Sequence, residues 1–228
     1  MNESAEIVAL VEGKTEGIFI SKLLAPHLTR LNVYMTPIII SKPGEKSGDV
    51  RFGRVKNDIG LHLKQRTGTY LTLFVDYYGL KGDWPGLDEA KRRPRAKDRA
   101  EAVNRATQDA VCRLFPERRA ERRFIPYVAM HEFEALLFSA PEILASRLQV
   151  KPALIANIVA ECESPEEIDD SPDTAPSKRL IHLSNGFRKT TTGIAIAEEI
   201  GLSAIRARCP LFDEWLTVIE RLPESETD

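Results

Sequence analysis

Cysteine is scarce: the 228 residues hold three, Cys112, Cys162 and Cys209, spaced about fifty residues apart. No pair has metal-ligand spacing, so the three read as buried or free thiols in a reducing compartment. HExxH is missing as well, which argues against a zinc site. No window approaches 18 consecutive apolar residues, the length a spanning helix needs. The opening MNESAEIV lacks a basic region followed by an apolar run, so no secretory signal is expected. A soluble cytoplasmic protein with no membrane contact is the expectation. The glycine signatures of nucleotide and hydrolase sites are also absent. Gly44 to Gly48 is not followed by Lys-Ser/Thr, so there is no Walker loop, and neither GxGxxG nor GxSxG occurs.

What is present begins with composition. Apolar residues make up 43% and charged residues 29%, ordinary values for a globular protein. The net charge of -2 hides an uneven distribution. Lys91 to Arg123 holds twelve Lys/Arg against five Asp/Glu, whereas Glu161 to Asp173 holds seven acids and no base. The basic segment, with Arg92, Arg93 and Arg95, suits a phosphate backbone. The acidic stretch Ser164 to Pro176 reads either as a cation site or as a solvated linker.

The informative stretches are three apolar runs that end in acids. Ile7 to Val11 is a strand pattern without alternation, as in strands buried on both faces of a parallel sheet, and it stops at Glu12. Gly13 and Lys14 turn the chain into a helix read as Thr15 to Leu31, with Thr15 as its N-cap and Glu16 in its first turn. Tyr70 to Asp76 repeats the pattern and is followed by Tyr77, Tyr78 and Gly79. Phe124 to Met130 does so again and runs into His131, Glu132, Phe133 and Glu134. The carboxyl edge of an open α/β sheet is where ligands bind, and right-handed crossovers bring the first and third strand ends together there. Glu12, Glu16, Asp76, Glu132 and Glu134 are therefore candidate ligands for magnesium or manganese, which take hard oxygen donors and keep open positions for water and phosphate. Plainer readings stand beside these: Glu12 as a solvated strand end, Glu16 as a helix stabiliser, Glu132 as a helix cap and His131 as a satisfied hydrogen-bonding residue.

Between these runs lie a second strand, Tyr34 to Ser41, whose Pro37 argues for an edge or an early strand position, and a glycine-rich basic loop, Lys42 to Gly53. Helices are expected at Arg54 to Arg66 and Arg95 to Phe115, and a long polar loop at Leu80 to Pro94. After Pro141 short helices follow, at Pro141 to Leu148, Pro152 to Glu163, Pro176 to Leu183, Thr192 to Ile200 and Phe212 to Leu222. A helix from near Glu132 would put Phe133, Leu136 and Leu137 on one face. The reading divides the chain into an α/β core over 5–140, a helical extension packed on it over 141–222, and a disordered tail over 223–228.

The stretches VEGKTE, FVDYYG, RFIPYVAMHEFEALLFS, APSKR and CPLFDEWL resemble a Toprim-like domain-of-unknown-function family, family 4276, similar to the nuclease half of the overcoming-lysogenization-defect proteins. The resemblance runs from about Ile7 to Leu222. It implies a Toprim-like, Rossmann-like parallel four-stranded sheet flanked by helices, with magnesium serving strand cleavage or joining. Glu12 matches the first-strand glutamate, Glu16 the second acid of the EGxTE turn, and Asp76 the first acid of the Toprim DxD. Glu134 or Glu132 supplies the acid after the fourth strand. Tyr78 stands where the second DxD acid is expected, which leaves nuclease activity more plausible than topoisomerase or primase activity.

The resulting expectation is a magnesium- or manganese-dependent nuclease acting on DNA rather than RNA, in phage defence, with a separately encoded ATPase as partner. Glu12, Glu16, Asp76 and Glu134 would hold the metal, and Lys178, Arg179 or Lys189 would neutralise the phosphate. Lys14 and the arginine segment would track the backbone. A homodimer is compatible with the sequence, which does not decide oligomeric state. Two other readings remain open: a catalytically silent module that docks on nucleic acid or an ATPase, and a small-molecule phosphohydrolase whose loop at Lys42 to Lys46 binds phosphate.

Overall fold

The computed structural model describes residues 4–40, 50–168, 171 and 173–224. Strand β1 (Ala5–Val11) leads through a tight turn into α1 (Lys14–Phe19), which passes through a π-helical turn (Ile20–Leu24) into α2 (Ala25–Thr29). Strand β2 (Val33–Ile39), α3 (Phe52–Gln65) and β3 (Tyr70–Asp76) follow, then α4 (Leu87–Ala90), α5 (Ala96–Leu114), α6 (Ala120–Arg123) and β4 (Phe124–Ala129). The remaining helices are α7 (Pro141–Leu148), α8 (Pro152–Ala160), α9 (Pro176–Leu183), α10 (Ile194–Arg208) and α11 (Pro210–Glu220). None among the described residues is long and apolar enough to cross a membrane.

The four strands form one parallel sheet in the order β2-β1-β3-β4. The chain leaves β1 toward β2 and then returns past it to β3, so the switch in direction falls between β1 and β3. Glu12 and Asp76 follow these two neighbouring strands. This is the α/β, Rossmann-like class that the continuous apolar runs predict. Pro37 lies on an edge strand, as expected: the Ile40 N–H donates to Val11 O at 2.9 Å, so alternate residues, Pro37 among them, face away from β1. A proline there removes a donor from the exposed edge and blunts it against pairing.

Each face of the sheet has its own core. One packs α3, α4 and α5 against Leu10, Leu73 and Val75. The other packs α1, α2 and the helices after Pro141 against Ile7, Ala9 and Phe74. Phe19, Phe74, Phe133, Tyr127, Phe212 and Trp215 form an aromatic cluster on this second face, with Tyr127 and Trp215 stacked at 4.7 Å. Full burial of each Phe contributes about 1.5–3 kcal/mol, so the late helices are a large part of the stability. The Trp215 indole also donates to Thr72 Oγ1, whose hydroxyl donates to Ile125 O.

Several expectations need correction. Gly13, not Thr15, is the N-cap of α1, and the first helix contains a π-helical turn and ends at Thr29. The stretch expected as a polar loop carries α4 and the buried Trp84, whose indole donates to Thr107 Oγ1. Phe133–Ser139 is 3-10 rather than α-helical and is buried on all sides, because it crosses between the sheet and the late helices. Helix α10 runs on to Arg208 across a kink at Gly201, where φ is +76°. The acidic stretch is not a solvated linker throughout. Glu166 is buried and accepts from Leu211 N and Phe212 N at the start of α11, while Glu167 accepts from Ala96 N at the start of α5. Helix N-termini leave N–H groups unpaired, and a carboxylate satisfies both their bonding and their dipole. The loop Lys42 to Lys46 and the end of the tail, 225–228, lie outside the described residues.

Candidate active site

Why Glu12 sits where it does follows from β1. Its unbroken run of five buried residues, Ile7 to Val11, ends there, and Gly13 in extended backbone swings the chain into α1. The Gly13 N–H donates to Glu16 Oε2 at 2.9 Å, so Glu16 folds back over the turn instead of pointing to solvent. On β3, Asp76 Oδ1 accepts from Phe133 N at 2.9 Å, which ties the third strand end to the segment after the fourth. That reach depends on His131, a non-glycine residue at φ +59°. Such a backbone costs about 1 kcal/mol or more, and here it bends the chain out of β4. His131 is buried with its ring edge-on to Tyr77, and its carbonyl accepts from Tyr78 N.

These elements enclose a cleft of about 640 Å³ lined by Glu12, Glu16, Asp76, Glu132, Lys14 and Lys189, with Tyr78, Ile39 and Lys81 at the same site. Gly79 closes one wall. A Cβ there would lie 2.8 Å from Glu12 Oε2, so only glycine lets the carboxylate rest against the backbone. Beneath the cleft, Lys189 Nζ donates to Glu134 Oε2 at 2.9 Å and stands 3.6 Å from Glu132 Oε1. Lys189 opens a π-helical turn (Lys189–Gly193) ahead of α10, the kind of helix irregularity often found at functional sites. Glu134 Oε1 is buried with no hydrogen-bond partner. Both oxygens of Glu132 are engaged by Ser177, through its N–H at 2.8 Å and its hydroxyl at 2.9 Å, so Glu132 caps α9 as well as facing the cleft.

The electrostatics are those of crowded acids. Asp76 keeps some surface at the cleft yet is surrounded by protein, and burial followed by the negative charges of Glu16, Glu134 and Glu12 raises its pKa well above the ordinary carboxyl value. Burial likewise lifts Glu134 to about 7 despite the opposing effect of Lys189. For Lys189, burial pulls downward, but Glu134, Glu132 and Asp76 outweigh it and raise its pKa. The donor chemistry suits a hard divalent cation: several mutually repelling carboxylates and a buried, unpartnered oxygen. Among the described residues no three acid, imidazole or thiol side chains are arranged to hold a metal ion, so the carboxylates would have to draw together around an ion, with water completing its coordination.

A family model described as Domain of unknown function (DUF4276) matches residues 11–220. The chain belongs to this family. Comparison with curated proteins found no match, nor did comparison with solved structures. In this DUF4276 chain the matched span runs from the last residue of β1 to the last of α11 and contains every residue of the cleft.

Of the candidates read from the sequence, Glu12, Glu16, Asp76, Glu132, Lys14 and Lys189 converge on the cleft, and Glu134 joins them through Lys189. Lys178 does not line it and lies exposed on α9. Arg179 donates to Thr174 O. Arg93 pairs with Glu89, Arg95 with Asp98, and Arg92 is exposed, all away from the cleft. Lys81 and Ile39 were missed. Lys81 could have been found from its place five residues beyond Asp76 in the same loop. Ile39 could have been found as the end of a strand next to β1.

The raised carboxyls set the pH dependence of the metal-free protein. Glu134 and Glu166, both near 7, and Asp76 hold their protons more tightly folded than unfolded. Their contribution to stability is therefore complete below the ordinary carboxyl range, about 4, and the part due to Glu134 and Glu166 is lost as pH rises through about 7. Thermal denaturation in chelator should give a lower Tm at pH 8 than at pH 6. A higher Tm at pH 8 would remove the case for crowded, repelling acids.

Proposed function

We propose that this protein is a divalent-metal-dependent nuclease cleaving phosphodiester bonds in DNA. The observation that carries this reading is the convergence of Glu12, Glu16 and Asp76 at the switch point of the sheet, where burial and then the neighbouring negative charges raise the pKa of Asp76. Glu12, Glu16 and Asp76 are the residues that would hold the ion. A bound magnesium or manganese would polarise the phosphate and lower the pKa of an attacking water. Lys14 and Lys81 at the cleft attract the phosphate backbone. Lys189 donates to Glu134, opposing the rise that burial gives its pKa, and limits the negative charge that a polyanion meets on entry. The resemblance of VEGKTE and HEFEALLF to the nuclease half of the overcoming-lysogenization-defect proteins supports the same reading, and with no ATPase motif in the sequence any nucleotide control in phage defence would come from a separately encoded ATPase.

A second reading rests on a specific observation. Lys189 already places a cation among Glu134, Glu132 and Asp76, as a silent Toprim-like docking module would need. Calorimetric titration of manganese, alongside a plasmid-cleavage assay, separates the two. The nuclease reading expects binding and cutting by the parent and the loss of both in Glu12→Gln. A parent that binds no metal and cuts nothing favours the docking module.

A further inference from the structure

Asp76 is followed by two tyrosines with opposite fates. Tyr77 is buried, while Tyr78 leaves 45% of its surface exposed. The Tyr78 backbone is nonetheless fixed, because its N–H donates to His131 O at 3.0 Å and the turn is closed by Leu80 N–H to Tyr77 O at 3.2 Å. The ring is thus presented on a rigid mount beside Asp76. At the end of β2, Ile39 is 48% exposed and lines the same cleft. Among the large apolar side chains left exposed in the described residues, these two alone line the carboxylate cleft. Lys14 and Lys81 stand with them.

A flat aromatic surface, an aliphatic side chain and two ammonium groups beside an acid-lined site ask for a flat, apolar ligand joined to negative charge. A nucleotide has this character. In a duplex, however, the base faces are covered by their stacked neighbours, and only an unpaired base can lie on a side chain. Resting on the nuclease reading above, we propose that Tyr78 and Ile39 form a stacking platform for an unpaired nucleobase, so that the site selects single-stranded over duplex DNA. This gives Tyr78 a role of its own at the position where a second acid was expected.

The test measures fluorescence anisotropy of a dye-labelled oligonucleotide, single-stranded or annealed, in calcium, with plasmid and single-strand cleavage assayed separately in manganese. The parent should bind the single strand more tightly than the duplex. Tyr78→Ala should weaken single-strand binding by about 5- to 100-fold, with duplex binding changed less than about twofold, and Tyr78→Phe should bind like the parent. Parent-like single-strand binding by Tyr78→Ala, or an equal loss on both substrates, overturns the platform while leaving cleavage by the parent intact. A parent that neither binds nor cuts any DNA overturns the nuclease reading and the platform with it.

Discussion

Asp76→Asn should abolish metal-dependent DNA cleavage and at the same time make the metal-free protein harder to melt. Asparagine keeps an oxygen to accept from Phe133 N, so the link between β3 and the segment after β4 survives. What disappears is a carboxylate held against Glu16, Glu134 and Glu12. Each kcal/mol of relieved repulsion raises Tm by about 2–4 °C in a chain of this size. Loss of partners that merely orient metal ligands costs about 10–100-fold in affinity or activity. Loss of a direct ligand should therefore cost about 100-fold or more in cleavage rate. Opposed changes in stability and activity are characteristic of a site kept under electrostatic strain for function. Melting in chelator and cleavage in manganese check both halves. A lower Tm with cutting retained would make Asp76 a structural acceptor only.

Arg123→Met should lower Tm by roughly 6–12 °C, taking about 3 kcal/mol. The Arg123 guanidinium is buried and donates to the carbonyls of Thr69, Leu63, Arg118 and Arg66. Leu63 and Arg66 lie at the C-terminal end of α3, where the helix dipole favours a cation. Methionine preserves the apolar stem but leaves buried carbonyls without donors. Arg123→Lys should recover only part of the loss, because a point charge cannot span a fan of acceptors as a planar fork does. Urea denaturation of the two variants against the parent measures this, and equal stability of Lys and Arg at 123 would contradict it. No change in the cleft is expected, since Arg123 sits at the amino-terminal end of β4.

How much of this was legible in the sequence depends on whether the signal was local. The strand ends were readable because β1 and β3 are continuous apolar runs cut off by single acids, and Tyr70–Asp76 matches its expected span to the residue. Helices opened by proline, Pro141–Leu148 and Pro176–Leu183, match equally well, because proline is tolerated in the first turn and rare beyond it. The π-helical turn at Ile20–Leu24 could not be read, since one extra residue per turn leaves an apolar stripe looking helical. Phe133, Leu136 and Leu137 misled for a related reason: spacing of three and four fits a 3-10 turn buried all round as well as one face of an α-helix. Nothing local ranked Lys189 above Lys178, because the acids Lys189 meets come from 55 residues away. Glu132 was readable as a cap of the segment it opens, but that it caps α9, and that Glu166 caps α11, was invisible for the same reason, being set by which helix start arrives beside them.

Glu166 and Glu167 point to helix starts on opposite faces of the sheet, and this bears on biosynthesis. Helix α5 is made early, but the acceptor for its first N–H lies 71 residues downstream. Thr72 likewise waits 143 residues for the Trp215 indole. A nascent chain that has extruded only the four strands would carry an open helix start and an uncovered aromatic face. Contacts at such separations slow folding and expose sticky intermediates. The sheet is thus expected to settle only after α11 has left the ribosome, with the adjacent glutamates fastening both faces in the same late step.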